Sequence, residues 1–300
     1  MTAPDRPASW YEGSARARIA GLLDPGSFAE FLPPAARETS PHLGLFDLPV
    51  AFDDGIVVGR GEMDGRHVLV AAQEGRFMGG AIGEVHGAKL VGLLRAAAEL
   101  KPDAVLILFD TGGVRLQEAN AGETAIAEIM AAICAARAAG VPVIGLVGGR
   151  AGAFGGGGLI AATYSAIAVT EQGRIGVSGP EVIETNHGVE EFDSRDRALV
   201  WRTTGGKHRA LAGGADAFAE DTAEALRAAA LKLIDAVAGF EAGTLRAEHD
   251  RLATRLERHG SAADAPEIWR ALGVEEDVPA LDAEEFGAVL ERIGGWHGAR

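Results

Sequence analysis

Residues 104–118 read AVLILFDTGGVRLQE. The unbroken apolar run at its start lacks the alternation of a half-exposed strand and predicts a strand buried on both faces. Two glycines then turn the chain into a helix that runs to about Ala139. That helix carries Ile126, Ile129, Met130, Ile133 and Cys134 on one stripe at the 3.6-residue period. The same plan recurs on both sides. VPVIGLVGG (141–149) is a second buried strand, and RAGAFGGGGLIAAT (150–163) is a glycine turn entering a short helix. Upstream, FMGGAIGEVHGAKLVGLLRAAAEL (77–100) is a glycine turn followed by an amphipathic helix. Before it lie short strand runs with hairpin-type dipeptides at Asp54-Gly55 and Asp64-Gly65. Downstream, SAIAVTE (165–171) and GRIGVSG (173–179) read as two more strands, closed by Gly179-Pro180. Residues 218–238 read as an Ala-rich helix with Leu226, Leu233, Ile234 and Val237 on one side.

Strand, glycine turn and helix in repetition predict an α/β fold with parallel strands. The expected organisation is an N-terminal arm (1–45), an α/β core (46–240) and a helical C-terminal extension (241–300). The 300 residues suffice for a large buried core. A net charge of −15 argues against general nucleic-acid binding, which draws on basic surfaces. The single cysteine, Cys134, permits no internal disulfide and no thiolate zinc cage, and its helical setting reads as a buried small apolar residue. The N-terminus lacks the apolar run of a signal peptide, and no stretch of 18 apolar residues suggests a membrane span. A cytoplasmic protein is the expectation, with no membrane or nucleic-acid partner.

Three glycine elbows carry the chemistry: Phe77-Met78-Gly79-Gly80, Thr111-Gly112-Gly113-Val114-Arg115 and Ala153-Phe154-Gly155-Gly156-Gly157-Gly158. A helix start presents unpaired N–H groups at the positive end of the dipole, and glycine lets a ligand approach them. Such a site suits a phosphate, a carboxylate or a developing oxyanion. Ordinary strand-to-helix turns are the plainer reading, although four successive glycines cost about 0.5–1 kcal/mol each in ordering. A dinucleotide site is a contender through Gly156-x-Gly158-x-x-Ala161, but four glycines satisfy that pattern cheaply. A phosphate loop fails because Gly206-Lys207 is followed by His208 rather than Ser or Thr. G-x-S-x-G is absent, and the eight scattered histidines suggest no metal site. His86 reads as a satisfied surface or core histidine.

FMGGAIGEVHGAKLV (77–91), DTGGVRLQE (110–118) and AGAFGGGGLIAATYSAIAVTEQGRIGVSGPEVIE (151–184) resemble, in order and spacing, the acyl-binding half of carboxyltransferases in the crotonase-like superfamily. The likeness covers about residues 50–240. FDSRDRALVWRTTGGKHRALAGGADAF (192–218) and the overall length narrow it to the β subunits of biotin-independent malonate decarboxylases. Acetyl-CoA carboxylase β subunits carry a four-cysteine zinc ribbon, which one cysteine cannot build. No Met-Lys-Met biotin-attachment motif occurs, and propionyl-CoA-type subunits fuse a second half that is absent here.

The resemblance implies a crotonase-like ββα superhelix of the carboxyltransferase N-half type. It implies an active site shared with a homologous γ subunit, and a malonyl thioester on an acyl carrier protein, converted to the acetyl thioester and CO₂ in malonate catabolism. No cofactor would be covalently bound, since the carrier supplies a CoA-like prosthetic group, and an acyl-carrier transferase subunit would belong to the assembly. The family's acyl oxyanion pair falls at Gly155–Gly157, uncertain by one position, with Gly112 and Gly113 lining the same pocket and Phe77, Gly79 and Gly80 beside it. Arg115 either holds a carboxylate or phosphate or braces its turn against Glu118 or Asp110, and Arg150 is equally open. Arg202, Lys207, His208 and Arg209 form the densest basic cluster, suited to an acidic carrier or its phosphate, or else a solvated loop. Reprotonation of the enolate needs an acid, for which Tyr164 is one candidate, or a water. Carboxyl transfer with biotin, or a mainly structural role in the assembly, remain as alternatives.

Overall fold

The computed structural model describes residues 9–293; residues 1–8 and 294–300, the outer ends of the expected arm and extension, lie outside it. Seven strands form one sheet in which spatial order follows chain order: β1 (Ala29–Phe31), β2 (Ile56–Met63), β3 (Arg66–Gln73), β4 (Ala104–Phe109), β5 (Val143–Val147), β6 (Ala166–Thr170) and β7 (Ala217–Ala219). The first two pairings are antiparallel and the rest are parallel. Asp64-Gly65 turns β2 into β3 with both residues at positive φ, the geometry that fits a right-handed strand twist. Asp54-Gly55 also has positive φ but leads into β2 instead of joining two strands.

Helices cover both faces, which is why every residue of β4, β5 and β6 is buried. α2 (Glu84–Leu100) and α3 (Asn120–Ala138) pack on each other and on one face. Leu90, Leu94, Ile129 and Ile133 meet Val105, Ile107 and Val143 there. The opposite face is closed by α1 (Ala15–Leu22) against α8 (Ala223–Ala236), where Ile19, Leu22, Leu226 and Ala230 cover Leu106, Leu108 and Ile144. The stripe on α3 stands as expected at Ile126, Ile129 and Ile133, whereas Cys134 is only half-buried. α4 (Gly156–Ala161) follows β5 and packs on α3. Beyond β6 come α5 (Pro180–His187), α6 (Arg197–Thr204) and α7 (Gly206–Leu211).

Two strand expectations change. GRIGVSG forms no strand of the sheet; Ile175 makes a single bridge to Ala153 and Arg174 one to Gly205. The strand that completes the sheet is β7, hidden at the start of the segment expected to be wholly helical. The C-terminal residues form α9 (Ala242–His259), which buries no residue, then α10 (Ala265–Ala271) and α11 (Ala283–Arg292). Trp269, Phe286 and Val289 return from these last helices into the main core. Among the described residues no helix is long and apolar enough to cross a membrane.

Candidate active site

The three elbows are laddered to one another. Ile82 bridges Val114, Thr111 bridges Ala153, and Ala153 bridges Ile175. The Thr111 amide donates to Gly152 O (2.8 Å) and the Phe154 amide returns to Thr111 O (3.1 Å). Consecutive strands thus bring consecutive elbows edge to edge. At Gly113 an added Cβ would lie 3.3 Å from Phe154 O, and at Gly155 one would lie 3.3 Å from the Gly113 Cα. A side chain would crowd both contacts, and Gly113 (φ +130) and Gly155 (φ +55, the cap of α4) take positive φ that favours glycine.

The elbows differ in what their amides do. In the first, the Gly80 amide donates to Phe77 O, and the start of α2 already holds the protein's own carboxylates. The Glu84 amide donates to Glu118 (2.5 Å) and the His86 amide to Asp54 (2.9 Å). In the second, the Gly112 amide donates to Gly79 O (2.8 Å) and the Gly113 amide to Thr111 Oγ1 (3.1 Å). These two glycines therefore offer no free amide donor. In the third, Gly157 donates to Phe154 O (2.9 Å), whereas the amides of Gly155 and Gly156 enter no hydrogen bond among the described residues. The free amides of this elbow therefore include Gly155 and Gly156 but not Gly157.

Of the two roles open to Arg115, the structure shows the brace. Its guanidinium is fully buried between Asp54 (3.0 Å) and Glu118 (2.9 Å), with further bonds to the carbonyls of Ala81 and Asp54 and the Phe77 ring above it. It is thus a correction to the expected substrate contact: charge of both signs is already satisfied within the wall. Burial raises the Asp54 carboxyl above its ordinary value despite Arg115. Burial would raise Glu118 too, but bonds from Ser40, the Glu84 amide and Arg115 bring it below. Next to it His86 is fully buried and pushed down to about 3 by desolvation, hence neutral, against Gln73 (3.3 Å). Gln73 accepts from the Asp110 amide, and Asp110 pairs with Arg18 (2.8 Å) and accepts from the Ala151 amide. One polar network therefore backs the elbows from Glu118 to Arg18.

Other expected residues lie elsewhere. Arg150 is exposed, paired with Glu12 (2.9 Å) over the Tyr11 ring. The basic cluster points inward, which corrects the docking expectation. Lys207 is bound by Glu171 (2.9 Å) and by the carbonyls of Leu281 and Pro279. His208 accepts from Trp269 Nε1 (3.1 Å) and burial pushes it down to about 3. Arg209 is half-buried and donates to Thr203 O, and Arg202 pairs with Asp264 (2.8 Å). The cluster fastens the C-terminal helices to the core, and Lys207 and His208 border a cavity of about 340 Å³ with Trp201 and Trp269. Tyr164 is removed as a proton donor: it is sealed in the core against Phe109, and its hydroxyl has no partner among the described residues.

The residue that sequence reasoning missed is Arg174. Its carbonyl accepts from the Ala153 amide (2.8 Å), and its guanidinium lies between the rings of Phe154 (5.6 Å) and Trp201 (5.0 Å). The available signal was a lone basic residue in EQGRIG, directly after a buried strand.

The carboxyl transferase domain model matches residues 12–239. The chain belongs to the carboxyl transferase family. Malonyl-S-ACP:biotin-protein carboxyltransferase MADC of Malonomonas rubra is 40% identical over 309 residues, covering 95% of this carboxyltransferase chain and 96% of that protein. Among solved structures, a Pseudomonas malonate decarboxylase hetero-tetramer in complex with malonate matches at TM-score 0.81 and 42% identity, over 88% of this chain and 97% of that one. A Pseudomonas malonate decarboxylase MdcD-MdcE hetero-dimer matches at TM-score 0.65 and 38% identity, over 82% and 96%. The fold is accordingly the crotonase-like one.

Proposed function

We propose that this chain is the β subunit of a malonate decarboxylase. It acts with a homologous γ subunit on a malonyl thioester carried by an acyl carrier protein and yields the acetyl thioester and CO₂. The observation that carries this is the pair of unspent amides at Gly155 and Gly156 beside Gly113. The matches to malonate decarboxylase assemblies over nearly the whole of the matched chains support it.

The chemistry follows from where charge moves. When the bond between the carboxylate carbon and Cα breaks, its electron pair forms the enolate and the charge settles on the thioester oxygen. CO₂ leaves neutral, and a proton delivered to Cα completes the acetyl group. Two fixed N–H donors aimed at that oxygen favour the enolate over the ground-state carbonyl, and the wall needs no reorganisation. The carrier arm supplies the CoA-like thiol, and the γ subunit completes the pocket.

In the purified complex, Gly156→Val would drive a branched side chain into Ile126 and Val114, whose atoms already lie 2.6 Å and 3.0 Å from an added Cβ, and push the backbone donor out of place. The expected result is a kcat lower by about 10²–10³, the usual effect of losing one such donor, with the complex intact by gel filtration. Unchanged CO₂ release from an intact complex rules out the assignment.

The Malonomonas rubra relative, named for a biotin-protein acceptor, supports a second reading in which the carboxyl group passes to biotin on another subunit. Avidin separates the two. Inhibition of turnover indicates biotin, and insensitivity supports direct decarboxylation.

A further inference from the structure

We propose that Arg174 holds the free carboxylate of the malonyl group while the Gly155–Gly156 amides hold its thioester oxygen. This rests on the decarboxylase reading and extends it to the residue that selects a malonyl over an acetyl thioester.

Arg174 is a half-buried cation without an anion. No carboxylate forms an ion pair with it among the described residues, although Arg18, Arg115, Arg202 and Arg227 each have one. One guanidinium nitrogen donates to the Arg150 carbonyl, and Nε has no acceptor. Asp110 and Glu181 act on it only through space, and Asp110 is already held by Arg18 and the Ala151 amide. Holding a guanidinium away from water without a counter-charge is costly, and an anion arriving from outside would offset that cost.

Its position indicates which anion. The guanidinium carbon lies 5.6 Å from the ring of Phe154, the residue directly before the free amides, and the Arg174 backbone is hydrogen-bonded to Ala153. This places the guanidinium beside the residue one position along the chain from the free amides, on the thioester side of the proposed ligand. In a malonyl group the carboxylate is two C–C bonds from the thioester carbonyl, whereas the carrier's phosphate is a whole pantetheine arm away. Two aromatic rings within 5.6 Å and 5.0 Å of its Cζ restrict where the guanidinium sits, and its fork suits a planar carboxylate.

Such a contact has a distinctive kinetic sign. The carboxylate is charged in the ground state and becomes neutral CO₂, so Arg174 favours binding more than the transition state. In the assembled complex, Arg174→Gln is expected to raise KM for the malonyl thioester about tenfold to a hundredfold without lowering kcat. Affinity for the acetyl thioester, which lacks the carboxylate, should be unchanged, and Arg174→Lys should restore part of the loss. Equal losses for malonyl and acetyl thioesters would mean a structural role and overturn the proposal. So would an unchanged malonyl KM in a complex whose wild type releases CO₂. A wild-type complex that releases none defeats the decarboxylase reading instead, and direct binding of the two thioesters to Arg174→Gln then still decides the role of the arginine.

Discussion

Arg115 shows how a side chain chosen for its charge ends up serving the wall. Its fork holds two carboxylates that arrive from different elements, Asp54 ahead of β2 and Glu118 ahead of α3. Removing the cation alone leaves both acids buried and unpaired. Arg115→Met should therefore lower stability by about 3–5 kcal/mol in urea unfolding. Part of the loss should return on mild acidification, because Asp54 already has a raised pKa and readily takes a proton. The elbows were legible because glycine's reasons are local: a missing Cβ and an accessible amide. Arg115 was not, since its two roles differ only in whether an acid 61 positions away meets it. Tyr164 and Lys207 were misread for the same reason, as burial is decided by distant chain.

Among the elements, those with a continuous apolar run or a clear stripe were visible in the sequence: β4, β5, α2 and α3. Three-residue β7 was not, because AFA carries no period of its own and becomes a strand only by lying beside β6. The bridges at Ile175 and Arg174 were overread, since they ladder one elbow to the next outside the sheet. The C-terminal helices were weak in pattern, yet α11 is anchored by Phe286, whose ring meets Phe218 of β7 edge-on at 4.6 Å. Phe286→Ala should cost about 3–5 kcal/mol and loosen the Lys207 contacts at Leu281, detectable as faster amide exchange in α11. Normal exchange there would show that the helix is held by other means.

For the whole molecule, the buried neutral histidines set the acid limit. His86 and His208 have pKa values near 3 in the folded chain, against about 6.5 when unfolded. Between those values the unfolded chain binds more protons, so stability rises with pH and falls as pH drops from about 6.5 towards 3. Each histidine contributes a slope approaching about 1.4 kcal/mol per pH unit. His86→Gln should therefore flatten stability measured by urea unfolding between pH 6 and pH 5. An unaltered slope would mean that His86 is charged in place.

Because neighbours in the sheet are neighbours in the chain, β3 to β6 and their elbows can assemble in the order in which a ribosome delivers them. The far face is different. Leu22 at the end of α1 meets Arg227 of α8 across a separation of 205 positions. At roughly 5–20 residues per second, the lower side of the growing sheet waits tens of seconds for its cover. During synthesis that uncovered side, rather than the glycine-rich one, is where a chaperone has work to do.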